Sequence, residues 1–144
     1  MFKHILLPID GSDASNRAIE RGVELAKALG AQVTLMTAIE RYPAGLAGTV
    51  YRAQDNPMHQ AARDAGAHWL AHAADQVRRL GVEAKQLIMQ DCTVAQGILD
   101  AAQTVGADLI VMGSHGAGAL ERLLIGSQTQ RVLAQTAIPV LVLR

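Results

Sequence analysis

One cysteine, Cys92, stands among the 144 residues, so the chain can build neither an intrachain disulfide nor a multi-cysteine metal centre. A reducing compartment, the cytoplasm, is the expected location. Charge of a dominant sign is also missing. Thirteen basic residues face thirteen acidic ones, which removes the electrostatic footprint of a nucleic-acid or anionic-membrane binder. Arg78 and Arg79 read as a solvated helix face. Long hydrophobic runs are lacking as well: the apolar stretch in MFKHILLPID meets Pro8 and Asp10 too soon for a signal-peptide core, and no other run reaches membrane-spanning length. What is present is a globular composition, 50% apolar and 18% charged, in a length that fits one domain over residues 1–144.

Apolar runs alternate with helical periods along the whole chain. Ile5 to Ile9 is continuously apolar and ends at Asp10-Gly11-Ser12, the pattern of a strand buried on both faces that meets a turn. Ser12 or Asp13 is placed to cap a helix in which Ile19, Val23 and Ala26 share a face, and Gly30 supplies a left-handed stop. Val33 to Ile39 predicts a second strand, and Trp69, Ala73, Val77 and Leu80 a helix stripe that stops at Gly81. Ala84 to Met89 and then Val94 to Val105, closed by Gly106, repeat the unit. Leu109 to Met112 predicts a fourth strand, Gln128 to Gln135 a last helix, and Pro139 to Leu143 a final strand opened by proline. Such alternation implies right-handed crossovers and a parallel α/β sheet with helices on both faces. The connection from Glu40 to Pro57 is long and carries Gly45 and Gly48, which suits a loop that closes over a ligand.

In open parallel sheets the ligand lies beyond the carboxyl ends of the strands, so the strand-end residues are those to inspect. The segments there are Asp10-Gly11-Ser12, Ala38-Ile39-Glu40, Gln90-Asp91-Cys92 and Gly113-Ser114-His115-Gly116. The last opens a longer pattern, Gly113-x2-Gly116-x9-Gly126-Ser127, whose second end runs into a helix. Glycines let backbone N–H groups approach an anion, and a helix N-terminus presents unpaired donors with partial positive charge. That is a phosphate cradle. Ser127 adds a hydroxyl, which would also serve as the helix N-cap.

With Pro8-x-Asp10-Gly11-Ser12, Met112-Gly113-Ser114-His115-Gly116, the nine-residue spacing to Gly126-Ser127 and the closing Ile138-Pro139-Val140-Leu141-Val142, the chain resembles the universal stress protein family in its nucleotide-binding branch, from the first strand to the last. The resemblance implies an adenine nucleotide alpha hydrolase-like, Rossmann-like fold with five strands in the order 3-2-1-4-5. It implies a site in which Asp10 and Ala38 lie around the adenosine, Met112 and Gly113 near the ribose, and Gly116, Gly126, Ser127 and Gln128 along the phosphates. The ligand implied is ATP, with ADP or AMP as variants and Mg2+ carried by the phosphates. A homodimer through residues 139–143 is implied too, and an apolar edge strand gives it a physical motive. Thr37 departs from the histidine of many members and Cys92 from a common glycine, which bears on nucleobase preference and narrows the expected pocket wall.

Other patterns lead elsewhere. His68 and His72, four apart, share a helix face but bring no third metal ligand. Ser114 and His115 lack a nucleophile elbow, and Cys92 reads as an unreactive thiol. Gly126-Ser127 has no preceding lysine for a Walker loop, and the glycines after the fourth strand run opposite to the dinucleotide fingerprint. No catalytic residue is assigned. The reading is a nucleotide-dependent stress-response or signalling module, with two alternatives: a slow ATPase that uses Asp10 and a divalent metal, and a dimeric scaffold without nucleotide.

Overall fold

Ser12 starts the first helix by a local hydrogen bond. Its backbone is extended and its Oγ accepts from the amide of Ser15 at 3.2 Å, which satisfies one of the donors that a helix leaves unpaired at its start. Gly30, at φ 63°, closes the same helix, with its N–H turned back to the carbonyl of Lys27. The computed structural model of the chain describes residues 1–41, 57–114 and 125–144. Within them run β1 (His4–Pro8), α1 (Asp13–Leu29), β2 (Gln32–Glu40), α2 (Pro57–Arg79), β3 (Ala84–Cys92), α3 (Val94–Val105), β4 (Leu109–Gly113), α4 (Ser127–Gln135) and β5 (Val140–Leu143). The greater part of the Glu40 to Pro57 connection, expected as a closing loop, lies outside the described residues.

All strands are parallel, in the order β3-β2-β1-β4-β5. Central β1 and β4 are buried on both faces, which is why their sequences are apolar without alternation. Two clusters of buried side chains divide the core. Ile19, Val23, Leu70 and Val77 of α1 and α2 cover one face of the sheet, while Ala95, Ile98, Ala101 and Val132 of α3 and α4 cover the other. Among the described residues no helix is long and apolar enough to cross a membrane.

β1, β2 and β4 differ from their expected bounds by a residue at one or both ends, and three further boundaries differ for identifiable reasons. β3 runs on past Met89 to Cys92, because the register shifts between Ile39 and Glu40 and Asp91 takes a left-handed backbone at φ 56°. β5 begins at Val140, since Pro139 has no N–H for the ladder, although its carbonyl accepts from Ile110. α4 begins at Ser127, so Gly126 is its N-cap and Ser127 its first helical residue.

Candidate functional site

Past β1 the chain turns sharply. Oδ1 of Asp10 accepts from the amide of Ser12 at 2.9 Å, so the carboxylate holds the turn that starts α1 while it faces the crevice beyond the strand tips. Gly11 has two reasons to be glycine. Its φ is +76°, and a Cβ there would collide with the indole of Trp69.

The end of β4 is tied to α4. The Ser114 carbonyl accepts from the Gly126 amide, and Thr129 Oγ1 donates to the Gly113 carbonyl at 3.2 Å. The two glycine-bearing segments therefore meet at the crest of the sheet. Gly113 is demanded by packing as well: a Cβ would stand 2.8 Å from the backbone carbon and oxygen of Ala14 in α1.

α4 opens on this crevice without a side-chain cap. The expectation that Ser127 caps the helix is corrected here. Gly126 occupies the cap position and has no side chain to offer, while Gln130 N makes the first intrahelical bond, to Gly126 O at 3.0 Å. The amides of Ser127, Gln128 and Thr129 are thus the orphan donors of the helix start, with no acceptor among the described residues. Gln128 Oε1 is buried beside them, also without a partner among the described residues. An uncapped helix start is a site of partial positive charge.

The crevice holds about 610 Å³ and is walled by Asp10, Ala38, Met112, Gly113, Gly126, Ser127 and Gln128, all anticipated from sequence. Gly116 and His115 fall outside the described residues. Thr37 also lines the space and packs on Gly66 of α2, where a Cβ would lie 3.0 Å from its Cγ2. Cys92 does not narrow the wall as expected. Its Sγ turns to α3, 2.8 Å from where a Cβ on Gly97 would stand. Burial pushes the Cys92 thiol up from its ordinary pKa, and the charge of Asp100 adds to this, so the thiol stays protonated at neutral pH. His68 and His72 are exposed on α2, and no group of three potential metal ligands gathers among the described residues.

Trp69 is a wall residue that sequence reasoning did not place at the site, as it did not place Ser15, Met36, Ala62 or Thr129. Its spacing with Ala73 and Val77 matches a core stripe, and it does pack against the core, yet it also reaches the crevice. Nothing in a helical period tells a core tryptophan from one at the rim. The described wall carries two carboxylates, Asp10 and Glu40, and neither lysine nor arginine.

The parallel sheet, the crevice past its carboxyl ends and the uncapped helix start define an α/β nucleotide-binding fold. The chain belongs to the universal stress protein family, whose model matches residues 1–144. It is 35% identical over 144 residues to the universal stress protein in the QAH/OAS sulfhydrylase 3'region of Thermus aquaticus, with both chains covered in full. It is similar to the crystal structure of a universal stress protein family member from Burkholderia pseudomallei, with TM-score 0.78, 27% identity and 98% and 95% of the two chains covered. The fold is shared with a universal stress protein crystallised in complex with cAMP, at TM-score 0.73, 23% identity and 99% and 97% coverage.

Proposed function

We propose that the chain binds an adenine nucleotide in the crevice, ATP foremost and ADP or AMP as variants, and serves as a nucleotide-dependent stress-response or signalling module. The observation that carries this reading is the start of α4: three orphan amides and a glycine in place of a capping side chain, at the wall of the crevice. The cAMP complex of the relative points to the nucleotide class. Asp10 and Ala38 stand at the base end in this reading, Met112 and Gly113 beneath the sugar, and Gly116, Gly126, Ser127 and Gln128 along the phosphates.

Mg2+ fits as a companion of the phosphates rather than as a resident ion. Asp10 and Glu40 add negative charge to the wall, so a divalent ion carried by the nucleotide would offset the repulsion between those carboxylates and a triphosphate. The protein's share is to orient the phosphates on backbone N–H groups and to hold Asp10 on its turn. In the same reading the chain is a homodimer through the strand at residues 139–143.

Titration calorimetry with ATP in the presence of Mg2+ tests the proposal. Ser127→Ala removes a side-chain hydroxyl at the helix start, and loss of a hydrogen bond to a charged group costs about 1.5–3 kcal/mol, or roughly ten- to a hundredfold in affinity. No heat from ATP, ADP or AMP with the unmodified protein would refute nucleotide binding. Equal affinity in the Ser127→Ala variant would remove the serine from the site.

A further inference from the structure

Trp69 lies flat on the Asp10-Gly11 turn. A Cβ on Gly11 would meet Nε1 first, with Cε2 and Cδ1 at 2.6 and 2.8 Å, and near-equal approach to three adjacent ring atoms means that the indole offers its face to Gly11. Its N–H consequently points sideways, away from the glycine, and finds no acceptor among the described residues. Gly66, three residues earlier on α2, sets this depth. With no side chain it lets α2 settle where even a methyl group would lie 2.9 Å from Ile39 Cδ1 and 3.0 Å from Thr37 Cγ2. The only tryptophan of the chain is thereby held, half-buried, at the rim of the crevice.

α2 packs on the sheet face opposite to that of α4. The crevice is therefore bounded on the α2 face by an aromatic, largely apolar side at Trp69, Ile9 and Ile39, and on the opposite face by a donor-rich side at Gly126, Ser127 and Gln128. Apolar aromatic surface with a spare N–H on one side and an anion cradle on the other match the two ends of a nucleotide.

We propose that Trp69 is a specificity-determining residue that contacts the nucleobase, so that the crevice selects a planar heteroaromatic base together with its phosphates. The inference rests on the nucleotide-binding reading above and adds the residue that discriminates between the base and a bare polyphosphate. Stacking and edge contacts to the ring supply apolar area, and the indole N–H supplies one directional donor to a ring nitrogen of the base.

A single tryptophan makes the test direct. Intrinsic fluorescence and calorimetry are followed in parallel while adenosine, ATP and inorganic triphosphate are titrated into the unmodified protein. Adenosine and ATP are expected to change the emission with the same midpoint as the heat, and inorganic triphosphate to leave it unchanged. Trp69→Ala is expected to weaken ATP about ten- to a hundredfold and Trp69→Phe much less, as for loss of an aromatic platform under a base. Constant emission while ATP binding releases heat would overturn the inference and leave nucleotide binding intact. So would equal weakening of ATP and inorganic triphosphate by Trp69→Ala, which marks a structural role. Absence of heat from every nucleotide defeats both readings. Should Trp69→Ala fail to fold, the emission of the unmodified protein and the Trp69→Phe variant still decide.

Discussion

At the residue scale one glycine can serve packing, backbone geometry and ligand approach together, and a sequence does not say which. Gly113 belongs to the family's glycine pattern, which invites a ligand explanation. The geometry adds another: a Cβ at this position would press on the carbonyl carbon and oxygen of Ala14, and backbone cannot swing aside as a side-chain tip can. Gly113→Ala is accordingly expected to destabilise the fold whether or not nucleotide is present, by about 1–3 kcal/mol, as overpacking in a close-packed interior does. Urea unfolding without ligand is the check, with a lower midpoint at unchanged slope as the expected outcome. An unaltered midpoint would return Gly113 to the ligand alone. Ser12, Gly30 and Gly106 were legible from sequence because capping is decided by neighbouring residues. Trp69 was not, because the Gly11 it lies on is 58 residues away in the chain.

At the scale of elements, α3 runs over the residues that its periodicity and closing glycine predict, Val94 to Val105. β3 overran its expected end because a register shift and a left-handed Asp91 depend on pairing with β2, which no local pattern encodes. The start of β1 depends on distant partners too. Asp108, in the turn between α3 and β4, accepts from the amides of Lys3 and His4 at 2.9 and 3.0 Å, and His4 Nε2 lies 2.8 Å from Thr34 Oγ1 on β2. Burial lowers the His4 pKa, the Lys85 charge lowers it further, and the Asp108 charge and the Val105 carbonyl oppose them without reversing the direction. A histidine so depressed binds fewer protons in the folded chain than in the unfolded one. Its contribution is present above the ordinary imidazole value of about 6.5 and is lost as pH falls through the lower folded value. Burial alone would raise the Asp108 pKa, but the amides of His4 and Lys3 outweigh it and bring the carboxyl below its ordinary value, so a second loss follows in stronger acid. Thermal melting is therefore expected to fall between pH 7.5 and pH 5, and to fall less in His4→Gln, which cannot titrate. Parallel pH profiles for the two proteins would remove His4 from the account.

The strand order of the whole molecule was legible only through family resemblance, since periodicity identifies strands without saying which lie side by side. Once the order is known, its two edges can be compared. β3 carries Lys85, Gln86, Gln90 and Asp91, charged and polar side chains of the kind that blunt an edge against pairing. β5 reads Val140-Leu141-Val142-Leu143, with Leu141 37% exposed and no charge along the strand. The carbonyls of Pro139 and Leu143 face β4, where Ile110 and Ser114 donate to them. Backbone groups alternate sides along a strand, so those of Val140 and Val142 face outward. A second copy related by a two-fold axis would meet this edge antiparallel, Val140 and Val142 exchanging hydrogen bonds with their counterparts and extending the sheet across the interface. Light scattering on the unmodified protein is then expected to give the mass of a dimer. Val142→Pro removes an outward N–H while sparing the ladder to β4, so it is expected to yield a folded monomer. Leu141→Pro should damage the sheet itself, because its N–H belongs to the inner side. A monomeric unmodified protein, or a Val142→Pro variant that remains dimeric, would place the subunit contact somewhere other than β5.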